Sequence, residues 1–196
     1  FVKDSKKFMP HFHIPLQSGS DKILGKMKRR YNTNIYKNKV LKIVKEIPEV
    51  SIGADVIVGF PGETDELFNS TLNFIKDLPI SYLHVFTYSE RENTKAIEMD
   101  GIVPKQERSK RSKKLRILSD KLQRSHYQKF IETTQTALME RENKDGYLFG
   151  YTDNYIKVKI PFNKELVQQK LKIKLLSHDE NGNIKSEINK EICTQL

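Results

Sequence analysis

The amino-acid sequence predicts an α/β partial (βα) barrel with parallel strands, followed by a small all-β barrel. Two observations carry that expectation. From His11 to Thr87, strand-like and helix-like segments alternate as consecutive βα units. Beyond about Thr133, helical periodicity gives way to short alternating segments separated by Asn, Asp and Gly clusters, the texture of antiparallel strands that close on themselves. Three parallel strands are too few to close a barrel, so half of the first sheet is expected to be missing or supplied by another chain.

The elements follow in order. His11 to Pro15 is too short and mixed for a helix and reads as a strand. Gln17 to Asp21 is a polar loop in which Ser20 is placed to cap a helix whose first turn carries Asp21. Asn34 to Ile47 places Ile35, Val40, Leu41, Val44 and Ile47 at helical spacing, and Pro48 closes it. Ser51 to Val58 is rich in β-branched residues and reads as a buried strand, followed by the turn Gly59-Phe-Pro-Gly62. Thr64 then caps a helix with the stripe Leu67, Phe68, Leu72 and Ile75, ended by Pro79. Ser81 to Thr87 is the next strand, so strand, helix and strand form a right-handed parallel unit.

Pro104 to Ile131 is expected to be a long basic connector helix with a narrow seam of Leu115, Leu118 and Leu122 and its basic face outward. The second barrel is expected from strands at 136–140, 146–150, 155–160 and 171–176. Within it, Tyr155 to Ile160 and Leu171 to Leu175 alternate strictly, apolar in and lysine out. The expected division is residues 1–103, 104–131 and 132–196.

Composition bounds the function. The 196 residues carry a formal net charge of +10, with 37% hydrophobic and 31% charged residues. No run approaches the roughly 20 apolar residues of a membrane span, and no apolar signal core opens the chain. The first residue is Phe1 rather than Met, so a longer parent protein is expected. One cysteine, Cys193, excludes an internal disulfide framework and any all-cysteine metal or cluster site within one chain, and a reducing, cytoplasmic setting is the default.

The charge is clustered. Residues 22–42 hold eight basic side chains and no acidic one, and residues 104–129 carry a net +8. Any single lysine there is explained by a solvated helix face. Two such segments together point to a polyanion, and nucleic acid is the expected partner.

Several residues stand out chemically. Asp55 interrupts an apolar strand, either as a satisfied structural carboxylate or as a residue facing cofactor or substrate. Gln17 and Ser18 end the first strand, as helix caps or as ligand contacts. Arg29 and Arg30 are equal candidates for a carboxylate partner, because a guanidinium forks onto carboxylates. His11 and His13 share a strand face without an evident third ligand, so no metal site is expected. Tyr147, Phe149, Tyr151 and Tyr155 are either barrel core or stacking surfaces for bases, with Lys157 and Lys159 near phosphates.

Three motifs carry a family resemblance. Pro15-Leu-Gln-Ser-Gly-Ser20 followed by Met27-Lys-Arg-Arg-Tyr31 resembles the radical S-adenosylmethionine (SAM) methylthiotransferases. So do Gly59-Phe-Pro-Gly62-Glu63 and Phe86-Thr-Tyr-Ser-Glu-Arg91-Glu-Asn-Thr94-Lys-Ala96, where Asn93 replaces the family's usual Gly. Asn tolerates the left-handed backbone such a turn requires. The resemblance spans nearly the whole chain.

It implies SAM contacts from Gln17, Ser18, Arg29 (selected over Arg30 by the Met-x-Arg-x-Tyr spacing), Asp55, Gly59 and Phe86. It further implies that the small barrel, with its Gly150-Tyr-Thr-Asp-Asn-Tyr155 turn, is a TRAM domain, an OB-like RNA-binding module. Candidate RNA contacts are Arg91, Arg111, Lys114, Tyr151, Tyr155, Lys157 and Lys159. The implied reaction adds a methylthio group to C2 of N6-threonylcarbamoyladenosine next to the anticodon of tRNA. SAM cleaved at a cluster provides the hydrogen-abstracting radical. Isopentenyladenosine and ribosomal-protein branches, and a non-catalytic RNA-binding protein, are the alternatives. The family's Cys-x-x-x-Cys-x-x-Cys is absent here. The ligands of both expected [4Fe–4S] clusters are expected upstream of Phe1, with this stretch inactive alone.

Overall fold

Strand, helix and strand recur in the computed structural model, which describes residues 2–5 and 7–189, without the side chain of Glu142. Cys193 lies outside the described residues. Two compact units emerge, one formed by Phe12–Gln123 and the other by the residues before it and those from Arg124 onward.

In the first unit, β1 (His11–His13, beginning one residue earlier), β2 (Ser51–Val58) and β3 (Tyr82–Thr87) form a three-stranded sheet in that order. β2 and β3 are parallel, with Asp55 opposite His84 and Ile57 opposite Phe86. The helices α1 (Asp21–Lys26), α2 (Thr33–Glu46) and α3 (Asp65–Lys76) lie between the strands in sequence. Leu16, Ile52, Ala54, Val56, Val58, Phe68, Ile75 and Leu115 build one apolar core. Burial of that set supplies the main drive for this unit's folding.

Local chemistry explains the helix starts. Asn32 accepts from the Ile35 amide and Thr64 from the Leu67 amide, each relieving an orphan donor. Ser20 occupies the cap position of α1 but makes no side-chain capping bond. Its own amide instead donates to Ser18 Oγ, which pairs with Thr71. The stripe expected on α2 is corrected in part: Ile35 and Leu41 are exposed, while Tyr36 and Val40 are buried and Tyr36 donates its hydroxyl proton to the Ile14 carbonyl. A buried tyrosine with a backbone acceptor outcompetes the neighbouring aliphatics for the core-facing position.

The helix α4 (Lys105–Gln128) gives Leu115, Leu118 and Leu122 to the first core, as the seam predicts. It also satisfies the outer edge of β3: Ser119 Oγ accepts from the Leu83 amide at 2.8 Å and donates to the Leu83 carbonyl at 3.2 Å. Its basic face is not wholly outward. Arg108 and Arg111 are buried. Arg108 donates to the Val103 and Tyr88 carbonyls and pairs with Glu90. Arg111 meets Glu63 at 2.9 Å, Asp65 at 2.7 Å and Glu107 at 3.3 Å. Burial pushes the Glu63 carboxyl above its usual range, opposed by the Gly59 amide and the Arg111 guanidinium.

In the second unit, β4 (Thr134–Lys144), β5 (Tyr147–Thr152), β6 (Lys157–Pro161), β7 (Lys170–His178) and β8 (Ile184–Ile188) close into a barrel in the order β4-β5-β6-β8-β7. Ile156, Val158, Ile160, Ile173, Leu175 and Ile184 point into its core with Tyr127 and Phe130. β8, absent from the strands read in the sequence, pairs in parallel with β6 and antiparallel with β7, so it closes the ring.

Two predictions follow from buried charge. Arg111→Met leaves the Glu63 carboxylate unpaired and should cost roughly 3–5 kcal/mol, read by urea unfolding; a loss below about 1 kcal/mol would contradict the pairing seen here. His126 is buried, and that burial, with Lys129 nearby, lowers its pKa to about 4. The unfolded imidazole takes its proton near 6.5, so the stability it contributes is full above pH 6.5 and is lost as pH falls through about 4. Thermal unfolding should show that decline across the window, and His126→Leu should flatten it relative to the parent chain.

Candidate functional site

The carboxyl ends of β2 and β3 open onto a cavity of about 650 Å³, within the range of small-molecule sites. Ile57, Phe60, Phe86 and Met99 give it apolar walls, with Phe60 set edge-on against Tyr88 at 5.3 Å. Lys26, Lys28, Arg29, Arg91 and Lys95 also line it, and no carboxylate does so among the described residues. Five cations against an apolar wall suit a ligand that joins a flat ring to an anionic group.

Backbone geometry shapes the rim. Gln17 has φ 69°, an uncommon conformation for a residue with a side chain. Its amide donates to the Asp55 carbonyl at 2.7 Å, and its carbonyl accepts from Ile57 at 2.9 Å, so it extends the pairing of β1 along β2. Its side-chain oxygen accepts from Arg29 Nη2 at 3.1 Å. Asn93 adopts φ 63° in the loop after β3, the left-handed geometry expected of an Asn in the glycine position. Gly59 has φ +76°, and a Cβ there would lie 2.3 Å from Arg108 Cγ. Both the turn and the arginine therefore require glycine.

Of the expected ligand contacts, Arg29 and Phe86 line the cavity, and Gln17 is hydrogen-bonded to Arg29. Ser18, Asp55 and Gly59 lie outside the lining. Ser18 is fully buried and tied to Thr71 at 3.1 Å, while the Gly59 amide is taken by Glu63 at 2.6 Å. Arg91 lines the same cavity. Lys26, Lys28 and Lys95 line it as well; the first two sit in the acid-free basic segment and Lys95 within the third motif, signals that mark charge but not contact with a cavity.

Asp55 has a different environment. His13 Nε2 lies 2.8 Å and His84 Nδ1 3.5 Å from its Oδ1. The pairing of His11 with His13 is thus replaced: His13 joins Asp55 and His84, while His11 belongs with the barrel unit and stacks on Tyr155 at 4.0 Å. Asp55 and His84 come from two later strands, which local spacing does not reveal.

In the barrel, the Thr152 hydroxyl accepts from the Ile156 amide while Tyr155 takes φ 65°. The Tyr155 ring stacks on His11 and also on Tyr151 at 4.7 Å. The two tyrosines thus engage one another, and Tyr155 remains 40% exposed. Lys159 pairs with Asp179 at 2.6 Å and lies 4.5 Å from the Tyr147 ring centre, so it is an internal partner rather than an open phosphate contact. Burial opposes ionisation of Asp179, but Lys159 and Asn183 hold its pKa at about 2. Lys157 Nζ sits 5.1 Å over the Phe149 ring, and Lys114 Nζ 5.8 Å over Phe68. Arg111, expected at an RNA surface, is instead consumed by its three carboxylates.

Most of the chain is similar to known proteins. The Radical SAM superfamily model matches residues 2–75. Threonylcarbamoyladenosine tRNA methylthiotransferase MtaB of Bacillus subtilis (strain 168) is 36% identical over 88% of this chain and 39% of its own length. tRNA-2-methylthio-N(6)-dimethylallyladenosine synthase of Clostridium tetani is 38% identical over 89% of this chain and 39% of its own. MtaB of Aquifex aeolicus is 40% identical over 84% of this chain and, again, 39% of its own. The chain spans about two fifths of the length of these curated relatives. With the motifs in order and the similarity covering most of the chain, this protein belongs to the radical-SAM methylthiotransferase family.

Proposed function

We propose that this chain is part of a tRNA methylthiotransferase that modifies C2 of N6-threonylcarbamoyladenosine beside the anticodon, in the cytoplasm. The cavity after β2 and β3, lined by cations and aromatics, is the observation that carries the reading. Its residues fit SAM: Arg29, oriented by Gln17, for the carboxylate, and Phe60, Ile57 and Phe86 for the flat adenine. When bound, SAM supplies the radical precursor and the methyl group. The chain's own residues bind and orient it. A cysteine-held iron–sulfur cluster does not fit the donors present, because Cys193 is the one cysteine in the sequence. The chain alone is proposed to be inactive.

The basic segment 22–42 supports RNA contact: Lys22, Lys28, Arg30, Lys37, Lys39 and Lys42 are all exposed. The five-stranded barrel supports a TRAM-like role, with Arg91 and Lys114 kept as RNA contacts on the other unit. The proposed functional segments are 1–103, 104–131 and 132–196. A dimethylallyladenosine substrate is the second reading, favoured by the Clostridium tetani synthase at 38% identity.

Filter binding of tRNA across a salt series tests this. Binding should weaken steeply with salt and favour tRNA carrying threonylcarbamoyladenosine. Preference for isopentenylated tRNA would select the second reading, and no binding at low salt would overturn both. In parallel, Arg29→Ala should weaken SAM binding by about tenfold or more, the scale of a lost charge-assisted contact, measured by calorimetry.

A further inference from the structure

His13, Asp55 and His84 stand side by side on β1, β2 and β3, one residue from each strand of the sheet. Asp55 and His84 are register partners, and the Ile14 amide bonds the Gly53 carbonyl, which fixes His13 next to them. One imidazole nitrogen from each histidine and one carboxylate oxygen all lie within 4.8 Å of one another. The closest approach is 2.8 Å from His13 to Asp55, and His84 lies 3.5 Å from the same oxygen. A tetrahedral zinc ion with bonds of about 2.0–2.2 Å sets its ligand atoms roughly 3.3–3.6 Å apart. The observed spacings bracket that value, so side-chain adjustment on a fixed backbone suffices.

We infer that these three side chains form a binding site for a divalent transition ion of the zinc class. Two neutral imidazoles and one carboxylate set a single negative charge against a dication, leaving a net +1, and imidazole with carboxylate is a donor set suited to zinc and its first-row neighbours. The side chains retain 33%, 23% and 54% of their exposure, so an ion has a path from solvent. Three protein ligands leave a coordination position for water or another donor, as in zinc sites that do chemistry rather than sites that only brace a fold. The rings of His13 and His84 are 5.0 Å apart at 32°, and Tyr82 lies 5.3 Å from His84, which limits how far the ligands can swing. None of the three residues lines the cavity, and the site does not depend on the enzyme reading.

Cobalt(II) titration tests it. The chain, stripped with chelator and carrying Cys193→Ser so that no thiol competes, is titrated with Co²⁺ and followed by visible absorption. The expected result is one equivalent bound with the strong d–d bands of a four-coordinate ion, displaced by Zn²⁺. His84→Ala and Asp55→Asn should each weaken binding by more than about tenfold, while His11→Ala should leave it unchanged. Half-exposed His84 makes the first variant safe for folding, which circular dichroism checks, so the result stands even if Asp55→Asn unfolds. Equal Co²⁺ affinity in the parent and His84→Ala, or no bands at stoichiometric Co²⁺, would overturn the site and leave Asp55 simply hydrogen-bonded by two histidines.

Discussion

The buried pair between Glu63 and Arg111 is the constraint on which the cavity end of the first unit depends. The Glu63 side chain is completely buried, and such a carboxylate is tolerable only with compensating partners. It finds two, the Gly59 amide and the Arg111 guanidinium. The first bond folds the loop after β2 back on itself, and the second ties that loop to α4. Arg111 also reaches Asp65 in the first turn of α3, so one guanidinium joins a loop and two helices. Arg108, one turn earlier, fills the space beside Gly59 that any other residue's Cβ would claim. Loop, strand end and helix thus share one electrostatic anchor, and the cavity wall inherits its rigidity.

Much of this architecture is legible in the sequence because it rests on local patterns. β2 begins and ends where the β-branched run does, Thr64 caps α3, and Asn93 takes the left-handed turn its side chain allows. The leucine seam of α4 finds the core it was spaced to meet. Long-range pairing is what local reading misses. Charge clustering on α4 points outward, yet two of its arginines turn inward because carboxylates distant in sequence await them. β8 is short and polar, and its place is set by the barrel it closes rather than by its own alternation.

The candidate sites divide in the same way. Arg29, just after α1, and Phe86, near the end of β3, line one cavity. The partners of Asp55 come from strands on either side of it, and only the register of the sheet brings those histidines together. In the barrel, aromatic residues that look like open platforms are stacked on one another, which a count of tyrosines cannot disclose.

The hydroxyl of Ser119 acts on β3 as a single-residue stand-in for a neighbouring strand. By occupying both hydrogen-bonding groups of Leu83, it interrupts the row of donors and acceptors that an edge strand offers to other chains. A strand from a second molecule would have to displace a helix side chain at that point before it could extend the sheet. The helix that supplies basic charge thereby also covers that point of the sheet edge.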